Sequence, residues 1–336
     1  MVSLTCFVGL DYSQDRVQVC VLDQQGNQVG NRWCGNDWRQ IADFVAQHGQ
    51  VAEAAIESCT GAANLAEELA TRAGWLIHLA HPGYVERIKQ SPDKTDYQDA
   101  RLLADLVRVG YLPRVWLAPA AVRDLRQLVR YRQQLVEQRC ATKLRVRAIL
   151  REYRCRPPTA STAWTRAWLR WVQQDAAVGP GSRWVLDQHL AALQRLAKEI
   201  HEAEERLTQA TVDDALVGRL QEQAGIGPVT AWVMRAEIGR FDRFRSGKQL
   251  ARFCGLSPRN ASSGNRQADA GLIKAASPML RAVVVEAAHR LPRQHQRWAQ
   301  FRTQLQKAGK PGSVIAAAIG NRWVRWLYHQ MKTVAA

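Results

Sequence analysis

The sequence predicts an α/β domain followed by two helical segments, with divisions at 1–115, 116–212 and 213–336. Three observations carry that expectation. Across residues 1–110, short alternating apolar runs take turns with runs at helical spacing. Beyond Pro119, apolar residues instead trace one long seam after another, as in paired helices. The charge divides in the same place: residues 1–110 hold nine Lys/Arg against fourteen Asp/Glu, a net of −5, so the rest of the 336-residue chain carries +22 of a total of +17.

Taken in order, Cys6-Phe-Val-Gly-Leu-Asp11 reads as a buried strand ending in an acid. Arg16–Asp23 alternates like a second strand, and Gln24-Gln-Gly-Asn27 makes a turn before a third around Val29–Trp33. Residues 37–48 have helical spacing, Val51–Ile56 is a short strand closed by Glu57, and Ala62–Ala73 is a helix. Trp75–Ala80 is a further strand and Asp96–Val109 a further helix. A hairpin followed by alternating strands and helices is an α/β layer pattern.

In the next segment Leu125, Leu128, Leu135, Thr142, Val146 and Ile149 line one helix, and Leu186, Leu190, Leu193, Ala197, Ile200 and Leu207 line another. Pro157-Pro158 and Gly179-Pro-Gly181 break the helices and flank a Trp-rich stretch, in which Trp164, Trp168 and Trp171 have the spacing of a packed core stripe. The two long helices either fold back on each other or pair with another subunit. From about Leu220 a third helical region begins, with Ala224-Gly-Ile-Gly-Pro-Val-Thr230 and a Gly- and Ser-rich loop at 255–265.

An apolar fraction of 46% excludes disorder over most of the length. The positive excess favours a polyanionic partner, because each phosphate neutralised by Lys or Arg releases condensed counterions. Seven scattered cysteines, with no CxxC pair, point to reduced thiols rather than a disulfide or zinc frame. No apolar run approaches the ~20 residues of a membrane span, so a soluble, cytosolic protein is expected.

Asp11 and Glu57 each close a strand, and Asp96 and Asp99 sit three apart at a helix start, so that both can face one spot. Four converging acids repel one another unless a cation neutralises them, and oxygen-only ligands suit Mg²⁺, with Mn²⁺ as substitute. As a bland alternative, Asp at a strand end is a turn residue and Asp96 a helix cap. Ten Lys/Arg from Arg123 to Arg154, among them Arg126, Arg130, Lys143 and Arg147, crowd one helix against three acids. That density suits a bound polyanion, or else a solvated face. Gly225 and Gly227 could let backbone N–H groups approach a phosphate, or simply turn the chain between helices.

The phrases Gly9-Leu-Asp11, Ile56-Glu57-Ser-Cys-Thr-Gly61 and Lys94-Thr-Asp96-Tyr-Gln-Asp99-Ala-Arg101 resemble the DEDD signature of a RuvC-like transposase domain, with its ribonuclease-H-like sheet. The family is that of the insertion sequences numbered one-ten, related to the Piv DNA invertases. Phe253-Cys-Gly-Leu-Ser-Pro-Arg259-Asn-Ala-Ser-Ser263-Gly264 is similar to its C-terminal transposase domain, where a Ser before Gly is the nucleophile. The resemblance covers essentially the whole chain. It implies catalytic Asp11, Glu57, Asp96, Asp99 and Ser263, with Ser262 as the neighbouring alternative. Nucleic-acid contacts are then expected at Lys94, Arg259, Arg266 and Lys274, and across a helix-hairpin-helix-like turn at Gly225 and Gly227. It further implies a mobile-element recombinase working in the bacterial cytosol or nucleoid on donor and target DNA, guided by a structured bridge RNA and assembled as a dimer of dimers. Ala275-Ala276 and the Trp-rich insert at 157–185 depart from the family pattern. The competing readings are a RuvC-like endonuclease acting by metal-dependent hydrolysis, an actin-like ATPase, for which Gly-rich phosphate loops are missing, and a basic RNA-binding protein with a dead site.

Overall fold

The computed structural model describes residues 5–88, 95–159, 161–260, 269–273 and 276–334. The chain divides between Ala120 and Ala121 into two units.

In the first unit, β1 (Thr5–Tyr12), β2 (Arg16–Leu22) and β3 (Gln28–Gly35) form an antiparallel meander. Helix α1 (Trp38–Ala46) follows, capped by Asp37, whose carboxylate accepts from the Arg39 and Gln40 amides. Next come β4 (Gln50–Glu57), α2 (Ala62–Arg72), β5 (Ile77–Ala80), α3 (Pro82–Ile88), α4 (Asp96–Arg108) and the two-residue β6 (Arg114–Val115). The six strands lie in the order β3-β2-β1-β4-β5-β6, with β4 parallel to both β1 and β5.

Strand parity sorts the sheet's two faces. Cys6, Val8, Leu10, Ala54 and Ile56 pack with Ile41, Phe44, Leu65 and Leu69 beneath α1 and α2. The alternate residues face α4: Ala55 packs with Leu103, Leu106 and Val107, and Cys20 and Leu22 pack with Ala100 and Ala104. Gly9 lies on that second face. A Cβ there would stand 1.9 Å from the Ala100 carbonyl oxygen and 2.4 Å from the Ala104 amide nitrogen, so the missing side chain is what lets the α4 backbone rest directly on β1.

The second unit is built of helices and one small β pair. Helix α5 (Ala120–Glu152) runs out, α6 (Arg166–Gln174) crosses, and α7 (Pro180–Ala210) runs back. Contacts between Leu135 and the Leu196–Ala203 stretch, between Val146 or Leu150 and Leu186 or Leu190, and from Arg132 to Glu204 place the two long helices antiparallel within one chain. The fold-back option left open by the sequence is therefore the one adopted. The α7 seam departs from the expected positions: Leu196 is buried and Ala197 exposed. A leucine offers more apolar area than an alanine, and the helix turns the larger side chain inward. Trp168 is buried, with Trp164 and Trp171 half-buried at ring separations of 4.6 and 6.2 Å from it, which is the packed stripe that their spacing predicts.

The remaining elements are α8 (Ala215–Gln221), α9 (Pro228–Ile238), α10 (Gly247–Phe253), β7 (Pro258–Asn260), β8 (Asp269–Leu272), α11 (Pro278–Gln294), α12 (Gln296–Lys307) and α13 (Gly312–Met331). Trp232, Phe241, Leu280, Trp323 and Leu327 share one buried cluster, which Leu125 and Val129 of α5 and Leu207 of α7 also join. Among the described residues no helix is long and apolar enough to cross a membrane.

Candidate active site

Asp11 and Glu57 meet through sheet register. Leu10 pairs with Ile56 across the parallel β1–β4 ladder, which sets Asp11 and Glu57 as the next residues on neighbouring strands. By parity both lie on the α4 face. The thiol of Cys59, which reaches solvent, reports their joint field: it is held above its ordinary value by partial burial first, and then by the Glu57 and Asp11 carboxylates.

Asp96 and Asp99 occupy the first turn of α4, where acids suit the positive end of the helix dipole. Thr95 caps that turn by accepting from the Gln98 amide at 3.3 Å. Asp99 is buried and Asp96 exposed. They continue the stripe that carries Ala100, Leu103 and Ala104 down onto the sheet. Side chains of β3 hold the turn in place: the Gln28 amide donates to the Tyr97 hydroxyl, and the Asn31 amide donates to the Tyr97 carbonyl at 3.2 Å. Asn31 in turn accepts from buried Gln18 at 2.5 Å, and Gln18 sits across from Asp11 in the β1–β2 ladder.

The structure thus brings two carboxylates to one sheet edge and lays the helix bearing the other two over the same face. Among the described residues it does not close three or more His, Cys, Asp or Glu side chains into a metal cage. The donors still fit a hard divalent cation in kind, since all are carboxylate oxygens and Asp11, Glu57 and Asp99 share one face.

Sequence reasoning overlooked the supports Gly9, Gln18, Asn31 and Tyr97. Gln18 carried a usable signal, as a polar residue at an inward position of an otherwise apolar strand. The close approach at Gly9 has no trace in sequence, because a glycine in a strand reads equally as a bulge.

Of the second unit, Ser263, Ser262, Arg266 and Lys274 lie outside the described residues, as does Lys94 of the first. Residues 261–268 connect β7 to β8, which pair antiparallel through Pro258 with Leu272 and Asn260 with Asp269. Arg259 sits exposed on β7. The basic residues of α5 fall into two groups. Arg126 donates to the Ala236 carbonyl and Arg243, from beyond α9, to the Ile238 carbonyl, so two guanidinium groups satisfy carbonyls at the C-terminal end of α9, while Arg130 pairs with the buried Glu237 side chain there at 3.2 Å. Burial, then Arg126 and Arg240, bring Arg243 down to about 10, between Phe244 and Phe253. Farther along α5, Lys143 lies 4.9 Å over the Trp164 ring, and exposed Arg147 makes no ion pair among the described residues. Gly225 takes a φ of +83° between α8 and α9, and Gly227 begins α9 without a side-chain cap, leaving exposed backbone ahead of Pro228.

Comparison with known proteins agrees along most of the length. Residues 8–155 match the family model for the DEDD transposase of the IS110 type, and residues 217–304 match the model described as transposase, IS116/IS110/IS902 family. The chain is 28% identical to a probable family 20 transposase of Pseudomonas aeruginosa over 96% of this chain and 95% of the other. It is 26% identical to the transposase for insertion sequence element IS1111A of Coxiella burnetii, over 95% and 88% respectively. With the transposase for IS1328 of Yersinia enterocolitica it shares 24% identity over 97% of each chain.

Proposed function

The chain belongs to the IS110 family of transposases, and from that premise we propose that it cuts and rejoins DNA through a phosphoserine link formed by Ser263, on sites chosen by a bridge RNA. The single observation that supports the reading most is the shared placement of Asp11 and Glu57 at adjacent strand ends, under the helix whose first turn carries Asp96 and Asp99.

In the proposed reaction the Ser263 hydroxyl attacks the scissile phosphorus, forming an Oγ–P bond while the bond to the departing strand's oxygen breaks. The hydroxyl proton passes to a carboxylate base, which as the resulting acid hands a proton to the departing oxygen, so that this leaves as a hydroxyl. A hydroxyl of the incoming strand then attacks the phosphoserine and releases the serine, so that no bond energy is lost to water. An unassisted serine is a poor nucleophile, hence the need for a nearby base. Asp11, Glu57, Asp96 and Asp99 would hold Mg²⁺ or Mn²⁺, which supplies charge neutralisation at the phosphodiester oxygens. In this reading the chains work as a dimer of dimers, the serine of one copy completing the acidic site of another. Lys94, Arg259, Arg266 and Lys274 then contact the strands.

The test is denaturing electrophoresis of protein incubated with labelled donor and target DNA and the element's non-coding transcript. A covalent protein–DNA band should form and vanish in Ser263→Ala. Strand cutting that persists in Ser263→Ala with no covalent adduct would overturn the serine mechanism in favour of hydrolysis. An adduct that survives in Ser263→Ala and vanishes in Ser262→Ala would move the nucleophile by one residue.

A further inference from the structure

Where α5 ends and α6 begins, a cleft of about 200 Å³ opens in the second unit. Trp168 and Trp171 of α6 form one wall, Arg147 and Arg151 of α5 the other, and Cys155 and Ser161 line the connection. The volume lies below the ~300–1,000 Å³ typical of drug-sized ligands, which suits one planar ring system rather than a whole cofactor.

Three features distinguish this cleft from a packing flaw. First, its cations are not spent on the fold: Arg147 and Arg151 are exposed and make no ion pair among the described residues, whereas Arg126, Arg130 and Arg132 nearer the helix start are engaged by Ala236, Glu237 and Glu204. Second, its walls are braced. Arg183 of α7 donates to the Val172 carbonyl at 2.7 Å and to the Ala176 carbonyl, Cys155 donates to the Ala177 carbonyl at 3.3 Å, and Thr165 caps α6 through the Trp168 amide. Third, with Arg154 at 52° closing the α5 C-terminus in the usual left-handed turn, its amide donating to the Arg151 carbonyl and the Cys155 amide to the Leu150 carbonyl, the other non-glycine positive φ among the described residues is that of Trp164 at 73°, in the α5–α6 connection around the cleft. Such backbone persists only where the surroundings enforce it, and it gathers at binding sites.

We propose that this cleft receives one unstacked nucleotide of a DNA or RNA strand, its base against Trp171 and its phosphate held by Arg147 and Arg151. An aromatic face beside guanidinium groups is the chemistry by which single strands are held without regard to sequence. The inference rests on the reading that the chain handles nucleic acid, and its test does not require strand cutting.

Fluorescence anisotropy of the full chain with short labelled single strands, one of DNA and one of RNA, and a matching duplex, provides that test. Trp171→Ala should weaken binding of at least one single strand by about 5- to 100-fold, leaving the duplex unchanged, while Trp171→Phe keeps most of the affinity. Arg147→Gln with Arg151→Gln, which removes both charges and keeps a polar side chain at each position, should lower the slope of log affinity against log salt by about 0.7 for each phosphate that is no longer neutralised. Weakening confined to the DNA strand or to the RNA strand supports the pocket and identifies its source. Unchanged single-strand binding in both Trp171→Ala and the double arginine variant would overturn the proposal, as would an equal weakening on duplex and single strands. Failure of the serine mechanism would leave these affinities as they are, so the two ideas fall separately.

Discussion

Replacing Gly9 by alanine tests the geometry of the acidic face with the smallest possible change. The added Cβ would lie 1.9 Å from the Ala100 carbonyl oxygen and 2.4 Å from the Ala104 nitrogen. Carbon–oxygen contact needs about 3.3 Å, so α4 must rise by roughly 1.5 Å. Both obstructing atoms are backbone, and no rotamer change relieves them. The overpacking cost belongs near the upper end of the usual range, about 3 kcal/mol. The lift would also carry Asp96 and Asp99 away from Asp11 and Glu57. A displacement of about 1 Å in a catalytic constellation costs on the order of 100-fold in rate. Thermal unfolding together with the strand-cutting rate on donor DNA measures both effects. Gly218→Ala is the control, since Gly218 lies inside α8 with nothing within 4 Å of a Cβ, and alanine there should stabilise by about 1 kcal/mol. Gly9→Ala protein with unchanged stability and unchanged cutting would refute the argument that α4 is seated by the missing side chain.

Asp11→Asn, or chelation of divalent cations, should abolish cutting by more than about 100-fold while the circular dichroism spectrum stays the same, because metal neutralisation is worth several kcal/mol; full recombination by Asp11→Asn protein would remove the metal proposal. Asp214 caps α8 by accepting from the Val217 amide at 3.0 Å and pairs with Arg235 at 2.6 Å. Asp214→Ala should therefore cost about 3 kcal/mol in urea denaturation, with Asp214→Asn losing less because it keeps the cap. His78 is held below its ordinary value of 6.5, chiefly by burial and then by Arg114, which together outweigh the hydrogen bond to Glu53. The folded protein thus binds that proton less readily than the unfolded chain does, so stability should fall as pH drops through 6.5 and below. His78→Gln should flatten that decline in unfolding midpoints measured across the same range.

The parts of the fold that were legible are those where one residue type at one position has a local physical reason. Asp11 and Glu57 interrupt apolar strands, and Asp96 with Asp99 has the spacing of a helix face, so all four stand out before any contact is known. Helix α3 stayed hidden because Pro82-Gly83 reads as a turn, although proline is at home in a first helical turn. The β7–β8 pair escaped because strands of three and four residues carry too little pattern. The choice of Leu196 over Ala197 and the fold-back of α7 on α5 depend on what a helix meets, which no periodicity states. The same holds for Arg126 and Arg130, whose charge pointed to a polyanion while their partners prove to be the end of α9.

The antiparallel pairing of α5 with α7 makes an arm with a built-in yardstick. Beyond Val129, where α5 leaves the main cluster, its remaining twenty-three residues at about 1.5 Å each span roughly 35 Å, comparable to some ten base pairs of duplex. Whatever the tip grips is therefore held at a distance set by residue count alone. Matched excision of one heptad from each helix would retract the tip by about 10 Å and preserve the seam, so reach becomes a quantity that evolution or an engineer can alter in steps.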